Sequence, residues 1–252
     1  MAAGPHVSLA AENIFHIGEF SITNSIFTSL LVSLILITFA AIARTKIKPT
    51  DKPGGFQNFV ELIIESLLGM IESVTGNRKK AFEFFPYIAT FFLFILLNNW
   101  LGLLPGVGTI GFLHETIPGT ALTPLLRPGT ADLNTTIALA TLSVFLTQVI
   151  GFKYLKFSYF TKFINFSSPI MFFVGILETI SEFAKIISFA FRLFGNIFAG
   201  EVLLVVVSFL VPLLVPMPFY GLEIFVGFIQ ALVFAMLSLV FFNMATISHD
   251  DH

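Results

Sequence analysis

Long apolar runs alternate with short basic stretches along this chain. Ile26–Ala43 (IFTSLLVSLILITFAAIA), Phe85–Leu104 (FPYIATFFLFILLNNWLGLL) and Leu133–Lys153 are almost free of charge. Each is close to the roughly 20 residues that cross about 30 Å of hydrocarbon as a helix, so each predicts a span. Phe56–Val74 (FQNFVELIIESLLGMIESV) has a different pattern. Phe56, Phe59, Ile63, Ile64, Leu67 and Ile71 recur at helical spacing, while Gln57, Glu61, Glu65 and Glu72 share another face. That pattern predicts an amphipathic helix in the plane of the interface, with an acidic face that can also pack on a partner. Residues 168–211 follow, with no proline after Pro169. As one helix they would be roughly 66 Å long, more than an upright span needs. Pro212, Pro216 and Pro218 interrupt the chain before the last helical run, 219–247. Either these two runs are kinked upright helices, or both are strongly tilted and form an antiparallel hairpin. Their charges favour the hairpin, because they need a non-lipid surface to face.

The bases give the orientation. Arg44, Lys46, Lys48 and Lys52 follow the first span, Arg78, Lys79 and Lys80 precede the second, and Lys153, Lys156 and Lys162 follow the third. By the positive-inside rule these lie in the cytoplasm, with the N-terminus outside and the C-terminus inside. The stretch 105–132 carries Arg127 as its one base, as an outer loop should. The expected fold is an all-α polytopic membrane protein, a single membrane domain over 1–252. It has about five membrane helices, one in-plane helix, an outer N-terminal segment at 1–25, and the long tilted pair at 168–211 and 219–247.

Composition narrows the function classes. The 252 residues are 56% hydrophobic and 11% charged, whereas soluble chains carry about a quarter charged residues. A net charge of -2 gives no reason to expect a nucleic-acid partner. The absence of cysteine excludes disulfides and thiolate metal sites. No phosphate-binding glycine loop or zinc-type histidine pair is present, and neither cofactor nor metal is expected. His6, His16, His114, His249 and His252 lie outside the main apolar runs, and the HDDH end reads as a solvated tail. The opening MAAGPHVSLAAENIFHIGEF has no basic stretch leading into an apolar one, so no cleavable signal is expected.

The unusual chemistry lies in the last two runs. At about 100° per residue, Glu178, Lys185 and Arg192 fall near one stripe, drifting about 20° per seven residues. Ser181, Ser188 and Asn196 lie near it, and Glu182 can pair with Lys185 three residues on. Glu201 lies on the opposite side of the helix from Arg192, while Glu223 and Gln230 share a face of the last helix. An arginine in hydrocarbon is costly and keeps its proton. It can attract a partner's carboxylate and block a water wire, whereas Glu201 and Glu223 can pass protons by titrating. The alternatives are structural: an ion pair or snorkelling for Arg192, a solvated helix start for Glu178, Glu182 and Lys185, interhelical hydrogen bonds for Asn196 and Gln230.

The stretch SFAFRLFGNIFAGE (188–201) resembles the signature of subunit a of the rotary F-type ATP synthase. NNWLGLLPG (98–106), ADLNTTIALA (131–140) and FIQALVF (228–234) resemble the same family in order and spacing, so the likeness spans roughly residues 15–247. It implies the proton-channel subunit of a stator, with two long tilted helices against a rotating ring of c-subunits, peripheral-stalk b subunits alongside, and two half-channels open to opposite faces. Arg192 then matches the arginine that faces the ring carboxylate. Asn196 and Gln230 match its polar neighbours, and Glu201 and Glu223 match carboxylates lining the outer half-channel. Some bacterial relatives carry histidine at the position of Glu223. Asp132 and Asn134 match the outer mouth, and Glu178, Ser181 and Lys185 match the cytoplasmic half-channel. The subunit itself has no catalytic site. A bacterial inner membrane is the expected location and the proton the expected ion, with sodium selectivity residing in the ring. A stand-alone transporter would show inverted repeats, and none is visible. A purely structural anchor leaves Arg192, Glu201, Glu223 and Gln230 unexplained.

Overall fold

The protein is described here by a computed structural model covering residues 11–17, 20–48, 54–104, 111–116, 119–163, 168–211 and 214–247. His6, His249 and His252 therefore lie outside the described residues. Six α-helices are found among them: α1 (Asn24–Lys46), α2 (Gly55–Thr75), α3 (Arg78–Gly102), α4 (Leu133–Leu155), α5 (Pro169–Leu210) and α6 (Pro216–Met244). Five helical stretches, α1, α3, α5, α6 and Leu133–Lys162, are long and apolar enough to cross a membrane. The chain is an all-α polytopic membrane protein.

Helix ends follow local chemistry. The Thr23 hydroxyl accepts the Ile26 N–H at 3.3 Å and starts α1, and Arg44 and Lys46 sit in its last turn, where the helix dipole favours cations. Gly76, at φ 63°, closes α2 in the left-handed conformation that costs a glycine nothing. The chain then turns at once into α3, because the Asn77 side chain accepts the Lys79 N–H at 2.9 Å. This is why α3 begins ahead of the predicted span and contains Pro86. Likewise α6 begins at Pro216 rather than 219, since a first turn needs no N–H from Pro216 or Pro218.

Two small antiparallel strand pairs lie where the sequence pattern shows only outer segments. β1 (Asn13–Ile17) pairs with β2 (Phe20–Thr23), and β3 (Gly111–Thr116) with β4 (Gly119–Pro124). Of these strands FSIT alternates strictly, whereas NIFHI, GFLHET and GTALTP do not, so no period of two stands out.

The chain forms two compact units. One comprises Met1–Lys48, Phe92–Thr136 and Arg192–Leu232. Its interior is joined by buried amides: the Asn99 side chain donates to the Gly227 carbonyl at 2.9 Å and accepts from the Thr130 hydroxyl at 2.5 Å. Asn98 accepts from Ser29 at 3.3 Å, and Trp100 donates to the Ile224 carbonyl at 3.0 Å. Such bonds hold apolar helices together where the hydrophobic effect offers no preference, at roughly 0.6 kcal/mol each. A 3₁₀ turn, Gly129–Ala131, is wedged against this network. Asn98 and Asn99 thus tie α3 to α1, α6 and the 3₁₀ turn.

The other unit comprises Pro49–Phe91, Ile137–Phe191 and Val233–His252. Aromatic pairs dominate it: Phe84–Phe242 at 5.9 Å, Phe91–Phe234 at 5.5 Å and Phe189–Phe234 at 5.1 Å between centroids. Ser143 and Ser238 share a buried hydroxyl bond of 2.7 Å. The α2 helix buries Val60, Leu67, Leu68 and Ile71, and leaves Phe56, Phe59, Leu62 and Ile64 exposed. Its apolar surface therefore exceeds what its own unit covers.

A side chain at Gly129 would overlap the Ser29 hydroxyl and the Asn98 amide. Gly129→Val is therefore expected to destabilise the fold by about 1–3 kcal/mol through overpacking. Thermal unfolding of the detergent-solubilised protein checks this, with Gly195→Val as the control, because nothing lies within 4 Å of a side chain there.

Candidate functional site

In the unit containing Arg192, a cavity of about 270 Å³ opens among the third, fifth and sixth helices and the segment before the 3₁₀ turn. Asn99, Arg127, Ile197, Glu201, Tyr220 and Glu223 are among its lining residues. Two sequence-predicted residues, Glu201 and Glu223, are thus brought to one cavity. Glu201 comes from the second half of α5 and is half-buried. Glu223 comes from the start of α6 and is 5% exposed. Its carboxylate occupies the space where a side chain at position 200 would stand, so Gly200 is what admits it.

The arrangement also holds a residue that the sequence pattern read only as a loop base. Arg127 is 4% exposed, and its Nε and Nη2 both donate to Glu201 Oε2, at 3.2 and 3.1 Å. The one signal was its isolation: a single base in an otherwise nearly uncharged outer stretch.

Asp132 and Asn134 are placed at the start of α4. Asp132 is buried, and its Oδ1 accepts the Asn134 backbone N–H at 3.0 Å and the Asn134 side-chain amide at 3.3 Å. That is an N-cap, which settles one helix-end backbone donor, the Asn134 N–H. Neither residue lines the cavity.

Arg192 lies on the exposed side of α5, with Phe191, Gly195, Asn196 and Ala199, while Leu193 and Ile197 are buried. The Asn196 side-chain amide donates to the Arg192 carbonyl at 2.9 Å. Gln230 is half-buried on α6. C-terminal to the arginine the exposed strip is polar and small, with Gly195, Asn196 and Ala199, while Phe191 precedes it.

The other unit holds Glu178, Ser181, Glu182 and Lys185. Lys162, at the end of the 3₁₀ segment Lys156–Lys162, reaches Glu178 at 2.6 Å and Glu182 at 3.5 Å. Lys185 pairs with Glu182 at 2.8 Å, as their three-residue spacing suggested, and lies 4.6 Å from the centre of the Phe241 ring. Glu182 is 8% exposed, and its Oε2 has no hydrogen-bond partner among the described residues. Ser181 is exposed and turns its hydroxyl back to the Leu177 carbonyl at 2.9 Å. Lys162 was read only as a marker of orientation, because nothing local in sequence ties a base before α5 to acids within it. No group of three or more candidate metal ligands occurs among the described residues.

Residues 26–243 match the protein family described as ATP synthase A chain. A protein of Geotalea uraniireducens (strain Rf4) named ATP synthase subunit a is 35% identical over 229 residues, covering 90% of this chain and 88% of that one. ATP synthase subunit a of Trichlorobacter lovleyi is 32% identical over 238 residues, 93% of this chain and 92% of that one. ATP synthase subunit a of Gloeobacter violaceus is 37% identical over 226 residues, 89% of this chain and 84% of that one.

The cavity makes one expectation testable in a chain without native cysteine. Leu204 lines the cavity and Leu239 does not, although both are buried. A small water-soluble thiol reagent is expected to label Leu204→Cys and to spare Leu239→Cys; mass spectrometry of the intact protein reads the difference.

Proposed function

The chain belongs to the ATP synthase A chain family, and from that premise we propose that it provides two proton half-channels to and from a rotating ring of c-subunits, so coupling proton flow to rotation and ATP synthesis. The observation that carries this reading is the sorting of charge on α5. Glu178, Glu182 and Lys185 lie in ion pairs with one another or with Lys162, and Glu201 pairs with Arg127; Arg192 stands on the exposed side of α5, followed there by Gly195, Asn196 and Ala199.

In the proposed pathway a proton from the outer side passes Asp132 and Asn134 at the mouth, then the carboxylates of Glu223 and Glu201. It neutralises a ring carboxylate that Arg192 has just released. The neutral site rotates into lipid at little electrostatic cost, since the charged form is the expensive one there. After nearly a full turn another site meets the track of Glu178, Ser181 and Lys185, loses its proton towards the cytoplasm and pairs with Arg192. Asn196 and Gln230 are the polar neighbours of that exchange. The guanidinium keeps its own proton throughout, so it attracts the carboxylate without conducting. Moving one charge across 100 mV is worth about 2.3 kcal/mol, so several protons are needed for each ATP.

The partners in this reading are the c-ring, the peripheral-stalk b subunits and the rest of the synthase. The chain makes no ATP itself. In this reading the chain lies in a bacterial inner membrane, and its basic stretches support an N-terminus on the outer side.

Arg192→Ala tests the reading in the whole complex reconstituted in vesicles. ATP-driven acidification is expected to be lost while the complex stays assembled, and passive proton leak to rise. Normal pumping by the variant would return Arg192 to a structural role.

A further inference from the structure

Resting on that reading of Glu201 and Glu223 as proton carriers, we propose that Arg127 is a positioning residue of the outer pathway. It holds Glu201 against the cavity wall by one carboxylate oxygen, so that an arriving proton is taken up at Glu223 and reaches Glu201 against the pull of the guanidinium on its carboxylate.

Three observations carry this. First, the Arg127 side chain is 5% exposed, and two of its N–H groups converge on one oxygen of Glu201. A surface pair of this kind would be solvated and nearly neutral in effect. This one faces a cavity that also receives Glu223.

Second, the backbone that delivers Arg127 is fixed from several sides. Its own N–H donates to the Thr28 hydroxyl of α1 at 3.2 Å, and Thr28 in turn donates to the Asn24 carbonyl at 3.0 Å. Gly129 lies against Ser29 and Asn98, and Thr130 bonds Asn99. The guanidinium is therefore presented by a rigid segment, which is what preorganised positioning of a reacting group requires.

Third, the two carboxylates are treated differently. Among the described residues no base pairs with Glu223, whereas Glu201 has Arg127. Glu12, from the segment before β1, lies within electrostatic reach of Glu201 and carries a buried oxygen without a hydrogen-bond partner among the described residues. Glu201 thus sits among Arg127, Glu12, Tyr220 and Glu223. In the transfer itself the Glu223 O–H bond breaks and a Glu201 O–H bond forms, directly or through cavity water, and Arg127 keeps its own protons.

The test uses the whole complex in vesicles, synthesising ATP under a fixed potassium diffusion potential, with the pH of the proton-supplying side varied. Loss of the cation beside Glu201 is expected to move the midpoint of the alkaline limb upward by about one pH unit in Arg127→Gln. Arg127→Lys, which keeps the charge, is expected to retain the wild-type midpoint at lower maximal rate. An unshifted midpoint in Arg127→Gln overturns the proposal. So does a midpoint in Arg127→Lys displaced as far as that expected for loss of charge, which decides the matter if Arg127→Gln fails to assemble. Glu201→Gln separates the two levels of inference. If it synthesises ATP as well as wild type, the role of Glu201 itself fails; if it is inactive while Arg127→Gln is unshifted, only the role of Arg127 fails.

Discussion

A charge carried on a helix in an apolar phase must be matched by another charge, a polar partner or water, and this constraint organises the chain. The helix α5 runs 42 residues, roughly 63 Å at 1.5 Å per residue, and carries five charged side chains along that length. The structure meets the demand with groups from outside the helix as well as within it. Lys162 comes from the 3₁₀ segment before α5 and meets Glu178 and Glu182. Arg127 comes from the outer stretch and meets Glu201. Loops that look like connectors therefore supply the counter-charges that let acids remain in the helix.

The same matching separates charges of different chemical use. A paired acid on a fixed segment is held in place, and a carboxylate beside a cavity can exchange a proton with water. Arginine does neither by titration, and on the exposed strip of α5 it is the natural counter-charge for a carboxylate carried by something else. In the proposed pathway this difference does the sorting: protons move over carboxylates, and the guanidinium stays charged between them. Small residues at Gly195 and Ala199 keep the strip open to close approach, as small residues do where helices pack tightly in membranes.

The helices were legible because nearly uncharged apolar runs of about 20 residues match the thickness of a bilayer, and the heptad-like drift of Glu178, Lys185 and Arg192 followed from helical geometry alone. The pairing of Glu182 with Lys185 followed from a three-residue spacing. Arg127 and Lys162 were not legible as site residues, because each joins its acid across a long sequence separation: Arg127 to Glu201 and Lys162 to Glu178. Orientation rules counted both as bases and said nothing of their partners. Asp132 shows the converse. The resemblance implies a place at the channel mouth, and the Asp132 carboxylate also caps α4, a role readable from an acid immediately before a helix. The strand pairs escaped notice because NIFHI, GFLHET and GTALTP do not alternate strictly between apolar and polar residues.

The central claim is that the strip of α5 bearing Arg192 faces a rotating partner. The most direct measurement is disulfide formation between a cysteine at Asn196 and one placed beside the carboxylate of the ring, with Leu193→Cys as the comparison. Asn196 is on the exposed strip and Leu193 is 1% exposed. Cross-linking through position 196 that arrests ATP-driven pumping, and is reversed by reductant, is the expected result. Cross-linking through position 193 with none through 196 would contradict it, because the arginine strip would then face the protein's own interior.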